Sequence, residues 1–409
     1  MKFRYIWNTL FFLLVIFGLG ILNLAYPQSG DVSSLEQRTL TKWPAFSWER
    51  FFSGEFTREF DDYFSDHFAF RTPMAKAGAA LVEYKGLPDN EAKIIQQGGD
   101  NTAQKLDATA KDGSTAAGAG QEVQYLIYKD RAYTLFAYSQ EAAEAYAKAL
   151  NRFKATVDSK VGVYSMLAPT SSEFIGKASY QKLSDSQKNA FDHVNESLDP
   201  EIRRIDVYGA LDRHKQEEIY FGTDHHWTAL GAYYAYAELM KELGETPVPL
   251  DSYAKGRIEG FLGTAYKATL SPKLKAHPDT IEYYEPGAKY KYTRYSTKGQ
   301  PLPGKIVDPR YAKASGGYAV FLGGDFPWGE IQTERNNGRK IAVIKDSYAN
   351  AFIPFLIPHF ESIYYIDPRF YTGSLTEFVK EHEITDVLFL NNSTVARNTG
   401  IAQLIDKQM

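Results

Sequence analysis

The stretch of the chain richest in reactive side chains is Gly222-Thr223-Asp224-His225-His226-Trp227-Thr228. An imidazole that acts as a base needs a carboxylate on its far nitrogen, to set the tautomer and stabilise the cation. Asp224, two residues before His226, supplies that partner if the turn between them is tight. Two other readings use the same residue types. His225 and His226 can cap or pack, and two histidines with an aspartate are metal-ligand types. No HExxH or comparable spacing supports a metal and none is assigned. Trp227 is suited to wall a site and exclude water.

A second segment, Ile341-Ala342-Val343-Ile344-Lys345-Asp346-Ser347-Tyr348, reads as a buried strand, a polar turn and the start of a helix. Ser347 falls at the strand's carboxyl end, where free backbone N–H groups can hold a developing oxyanion. The alternative is a serine that only caps the helix. A third apolar run, 387–390, ends in Asn391 and Asn392. Their amides can donate into the same crevice, and ordinary turn chemistry explains them equally well. Serine alone is a poor nucleophile and needs a neighbouring base. Asp224, His226 and Ser347 provide one group for each role. Tyr348, beside the serine, and Arg369, after the run 362–366, join Trp227, Asn391 and Asn392 as further candidates for contact with substrate or oxyanion. A surface arginine is the alternative for Arg369.

These residues need elements to position them. Apolar alternation over 125–138, an amphipathic helix over 140–157, strands over 160–167 and 202–207 and a helix over 184–198 form an alternating pattern. Thr228 is a natural N-cap for a helix beginning at Ala229. Strands over 340–344, 362–366 and 386–390 alternate with helices over 348–358 and 375–382. Such alternation predicts a parallel sheet covered by helices, with ligands at the strands' carboxyl ends. Between the two halves, 250–331 is rich in Tyr and Gly and reads as an inserted, irregular β region. Residues 51–87 carry recurrent phenylalanines on an amphipathic helical pattern, after a stalk; 31–97 is taken as one segment. Residues 98–121, almost without large apolar side chains, read as a flexible loop. The main domain spans 122–409.

Composition bounds the function classes. The 409-residue chain is 44% hydrophobic, carries a formal net charge of −4 and has no cysteine. Disulfides, thiol catalysis and cysteine-ligated zinc are excluded, and no basic field favours nucleic acid. Lys2 and Arg4 precede an apolar run over 5–26, about the length that crosses a bilayer. Ala25-Tyr26-Pro27 makes a poor cleavage site. Residues 1–30 therefore read as an uncleaved anchor, with the basic end cytoplasmic and the rest of the chain outside.

The Thr-Asp-His-His-Trp-Thr segment resembles the signature of the DHHW proteins of Gram-positive bacteria. These are similar to alginate O-acetyltransferases, whose motif is Asp-x-His-Trp. The resemblance covers about 120–395 and implies an SGNH-hydrolase-like, three-layer α/β domain in which Asp224 and His226 pair with Ser347. The Lys-Asp-Ser turn is similar to the Gly-Asp-Ser of that group, with Lys345 in place of glycine. It further implies acetyl transfer to a cell-surface polysaccharide, without a cofactor, fed by a membrane-bound O-acyltransferase that passes acetyl groups outward. An acetyl esterase of the same fold and a non-catalytic glycan-binding or assembly protein are the alternatives.

Overall fold

The computed structural model describes residues 2–25, 32–33, 38–39, 41–70, 73–74, 77–78, 92–97, 123–313 and 317–409. The loop expected over 98–121 lies outside them. The chain divides into two compact units, Met1–Asp89 and Asn90–Met409.

The first unit is helical with one small ladder. Strands Val32–Ser33 (β1) and Arg38–Thr39 (β2) pair antiparallel. Phe51 and Phe52 lie on the helix Trp48–Phe52 and Phe56, Phe60 and Phe64 on the helix Glu55–Asp66, while Phe68 and Phe70 follow it. The first is capped by Ser47, whose side chain accepts from the Arg50 N–H. The expected anchor forms a helix over Lys2–Ala25. Its role as a membrane span gains no support: among the described residues no helix is long and apolar enough to cross a membrane.

The second unit is mixed α/β. Its strands are Ala92–Gln97 (β3), Val123–Tyr128 (β4), Arg131–Thr134 (β5), Gly162–Ala168 (β6), Ile202–Ile205 (β7), Ala254–Phe261 (β8), Asp279–Glu285 (β9), Tyr290–Tyr295 (β10), Pro301–Pro303 (β11), Trp328–Thr333 (β12), Lys340–Lys345 (β13), Ser362–Ile366 (β14) and Asp386–Asn392 (β15). Eight form one sheet in the order β11-β10-β12-β14-β13-β15-β6-β7. From β14 to β7 every pairing is parallel. From β14 to β11 every pairing is antiparallel.

Two sequence expectations are thereby corrected. The sheet is mixed rather than parallel, because β10, β11 and β12, from the later part of the expected insertion, extend it antiparallel, while β8 and β9 pair separately as a two-stranded sheet. Residues 125–138 do not open the parallel pattern. They bend at Lys129-Asp130, where Lys129 takes a φ of 55°, and return as an antiparallel hairpin, β4–β5, in a separate sheet with β3.

Strand parity assigns side chains to the two faces. Ile341, Val343, Leu388 and Leu390 pack with the helix Ala229–Glu242 and the tyrosine-rich 250–331 region. Ala342, Ile344, Val387 and Phe389 pack on the opposite face with helices Gln140–Thr156, Gln187–Ser197, Leu375–Glu381 and Gly400–Lys407. β13, which delivers Ser347, lies between β14 and β15, so its carboxyl end opens in the middle of the sheet.

Candidate active site

Residues 219–228 turn back on themselves before the helix Ala229–Glu242. Phe221 N–H donates to His226 O (3.2 Å) and Thr228 N–H to Ile219 O (2.9 Å). The Thr228 hydroxyl caps the helix by accepting from Gly231 N–H at 3.3 Å. Asp224 is buried within this loop. Its Oδ1 accepts from His226 N–H (3.0 Å) and Nδ1 (2.5 Å). Its Oδ2 accepts from Thr264 N–H (2.8 Å) and Oγ1 (3.1 Å). A carboxylate only accepts, so Nδ1 carries the proton and, in the neutral ring, Nε2 is left as acceptor. That nitrogen lies 2.8 Å from Ser347 Oγ, 121 positions later in the chain.

Electrostatics favour this arrangement. Burial would raise the Asp224 carboxyl, but adjacent His226, then His225 and the Thr264 N–H, hold it well below the usual carboxylate range. Tyr318 stacks on the His226 ring with centroids 3.8 Å apart and planes within 8°. The imidazole is thus fixed at both nitrogens and on one face.

The serine turn is fixed by its neighbours. Asp346 Oδ1 accepts from Tyr348 N–H (2.9 Å) and Oδ2 from Asn392 N–H (2.7 Å). Burial raises the Asp346 carboxyl, against these two backbone donors. Tyr348 N–H is therefore engaged. Ser347 N–H has no acceptor among the described residues, which leaves it open to an incoming oxyanion. The two loops are bolted together: Trp227 Nε1 donates to Tyr348 O (2.8 Å), and Tyr348 OH donates to His225 O.

The sequence matches the DHHW protein family over residues 89–366. The chain belongs to that family. A DHHW family protein from Eubacterium siraeum DSM 15702 is 33% identical, over 70% of this chain and 95% of that one, with a TM-score of 0.63. Bacillus cereus PatB1, solved with a sulfonyl adduct, is 18% identical over 68% of this chain and 97% of its own, with a TM-score of 0.58, a likeness of fold. No curated protein matches by sequence.

Within this DHHW protein, the structure brings Asp224, His226 and Ser347 together and disperses the remaining candidates. Trp227 is fully buried and ties loops together rather than walling a cleft. Tyr348 is equally buried. Asn391 shares the face of Val387 and Phe389 by strand parity, and its Oδ1 accepts from Tyr146 OH at 2.9 Å, away from the serine. The Asn392 side chain caps the following turn by accepting from Thr394 N–H (2.8 Å), so only its backbone reaches the site. Arg369 is not on the surface: it binds Asp367 (Nε–Oδ1 2.8 Å) and Asp325 (Nη2–Oδ2 3.0 Å), while its buried Nη1 has no partner among the described residues. Asp224, His225 and His226 offer three possible metal-ligand atoms within 4.8 Å. The Asp224 and His226 atoms are taken by the contacts above, and His225 Nδ1 lies 2.6 Å from Thr264 Oγ1.

Sequence reasoning missed Gly263, Thr264, Tyr318 and Asp279. Asp279 accepts from Gly222 N–H (2.8 Å) and Thr223 N–H (2.7 Å) and so anchors the loop's entry. A side chain on Gly263 would strike Asp224. The small pair Gly263-Thr264 at a helix start was a legible signal of close approach. Tyr318 carried none, being one tyrosine among 29.

Proposed function

We propose that this DHHW protein is an extracytoplasmic serine O-acyltransferase that moves acetyl groups onto hydroxyls of a cell-surface polysaccharide. The observation that carries the reading is the continuous line Asp224–His226–Ser347, with hydrogen bonds of 2.5 and 2.8 Å. His226 Nε2 takes the Ser347 proton as Oγ attacks the acetyl carbonyl. The tetrahedral oxyanion accepts from Ser347 N–H and collapses, the donor leaving with the proton from His226. A sugar hydroxyl, deprotonated by His226, then attacks the acyl-enzyme and frees Ser347. All of this chemistry runs on side chains and backbone.

Acetyl rather than another acyl group rests on the resemblance of the Asp224-to-Trp227 motif to that of the alginate O-acetyltransferases. Transfer rather than hydrolysis rests on the same resemblance; water in place of the sugar hydroxyl would make the same residues an esterase. Because acetyl-CoA is cytoplasmic, the donor is a membrane-bound O-acyltransferase partner. Lys2 and Arg4 ahead of the apolar residues support attachment at the membrane with the remaining chain outside.

The test is incubation with an activated acetyl ester followed by intact mass. The wild-type chain gains one acetyl group and passes it to an added oligosaccharide; Ser347→Ala gains none. An unmodified wild type, or an acetylated Ser347→Ala, refutes the reading.

A further inference from the structure

Two residues before the serine, Lys345 is fully buried, in a place where lysine is expensive. Its Nζ donates to Asp325 Oδ1 (2.8 Å) and Asn350 Oδ1 (2.8 Å) and lies 3.5 Å from Asp367 Oδ2. Three residues after the serine, Asn350 Nδ2 donates to the same Asp325 Oδ1 at 2.9 Å. The other oxygen of Asp325 accepts from Arg369 Nη2 at 3.0 Å. One carboxylate thus holds both flanks of the Ser347 turn and the arginine that follows β14.

The placement of Asp325 follows from the mixed sheet. Gly323 and Gly324 take φ values of +75° and +98°, a turn that glycine adopts without strain. It delivers Asp325 just before β12. β12 runs antiparallel to β14, with Trp328 opposite Ile366, so the start of β12 lies beside the ends of β14 and β13. Asp367 N–H closes the join by donating to Pro327 O at 2.9 Å. The antiparallel half of the sheet, read from sequence as an insertion, thereby reaches under the nucleophile supplied by the parallel half.

We propose that Asp325 is a positioning residue for Ser347: it clamps Lys345 and Asn350, and so holds the hydroxyl at His226. The inference rests on the serine reading above and deepens it. Asp325 touches no reacting atom. Its effect passes through the turn, where Asp346 already holds Tyr348 N–H and Trp227 holds Tyr348 O, so the clamp sets where the hydroxyl points. A nucleophile displaced by about 1 Å loses on the order of 100-fold in rate.

The experiment measures the rate at which an arylsulfonyl fluoride modifies Ser347, by intact mass, together with its pH profile and the melting temperature. Oγ displaces fluoride at sulfur, and His226 takes the proton. Asp325→Asn alone strands a buried lysine and will be less stable. Asp325→Asn with Lys345→Met removes the pair together and leaves Arg369 balanced by Asp367. That double variant is expected to melt close to the wild type, to label on the order of 100-fold more slowly, and to keep the wild-type pH midpoint, because Asp224 and His226 are untouched. A folded double variant that labels at the wild-type rate overturns the clamp. If it fails to fold, Asn350→Leu severs one flank without stranding a charge. Slower labelling is expected there too, and the wild-type rate overturns the proposal. A wild type that itself does not label at Ser347 overturns the nucleophile, and the clamp with it.

Discussion

Gly263→Ala is the sharpest local test of the Asp224–His226 pair. A β-carbon at Gly263 would stand 2.3 Å from Asp224 Cβ and 2.4 Å from Oδ2. Non-bonded carbons settle near 3.5–4.0 Å, so the aspartate must retreat by about 1 Å or more. It has no slack. Both oxygens are engaged, and the contact to His226 Nδ1 is 2.5 Å. A shift of that size takes the pair beyond about 3.2 Å, where hydrogen bonding weakens sharply. Misplacement of about 1 Å costs on the order of 100-fold, and full loss of the orienting carboxylate in a serine triad about 10⁴-fold. The expected loss lies between these limits, about 3–5 kcal/mol of barrier. Overpacking should lower stability by about 1–3 kcal/mol. The assay is the rate of Ser347 acetylation or sulfonylation by intact mass, with a thermal melt on the same sample and Asp224→Asn alongside. Labelling at the wild-type rate with an unchanged melt refutes the argument that the Asp224 carboxylate must stand where it does.

Acid should separate wild type from Asp224→Asn. The carboxyl is depressed in the folded state, so its stabilisation is complete above the unfolded value of about 3.9 and is lost as pH falls toward the folded value. Urea titrations at pH 4, 3 and 2 should show the stability gap shrinking by about 1.4 kcal/mol per pH unit; a constant gap contradicts it. Trp227→Phe removes the donor to Tyr348 O in a buried setting and should cost about 1–3 kcal/mol in a denaturant melt, with slower labelling. Tyr318→Phe keeps the ring stacked on His226 and should label like the wild type, whereas Tyr318→Ala should label several-fold more slowly. Equal rates for the two would remove the ring from the account.

Much of the parallel core was legible because its strands are short apolar runs bounded by turns, and the strand Ser362–Ile366 matches its expected bounds. Thr228 read correctly as a cap because capping is local chemistry. What the sequence concealed depends on partners distant in the chain. The strands of 290–333 look irregular alone, and the pairing of β12 with β14 that joins them to the parallel strands follows from tertiary position. Asn391 is a candidate for the crevice from its place at a strand end, while parity, visible only once its neighbours' faces are known, sends it to Tyr146. Arg369 reads as a substrate contact or a surface charge, and Lys345 as a departure from glycine, because their counter-charge, Asp325, stands 44 and 20 positions away.

The large sheet also has two ends, and both refuse a further strand. At one, β11 is Pro301-Leu302-Pro303; its prolines have no N–H to offer a neighbour. At the other, β7 carries exposed Arg203 and Arg204 side by side. Proline and charge on rim strands are how open sheets avoid edge-to-edge stacking. A second copy meeting either rim finds no ladder to continue, so crowding of the chain at a surface need not lead to fibrils.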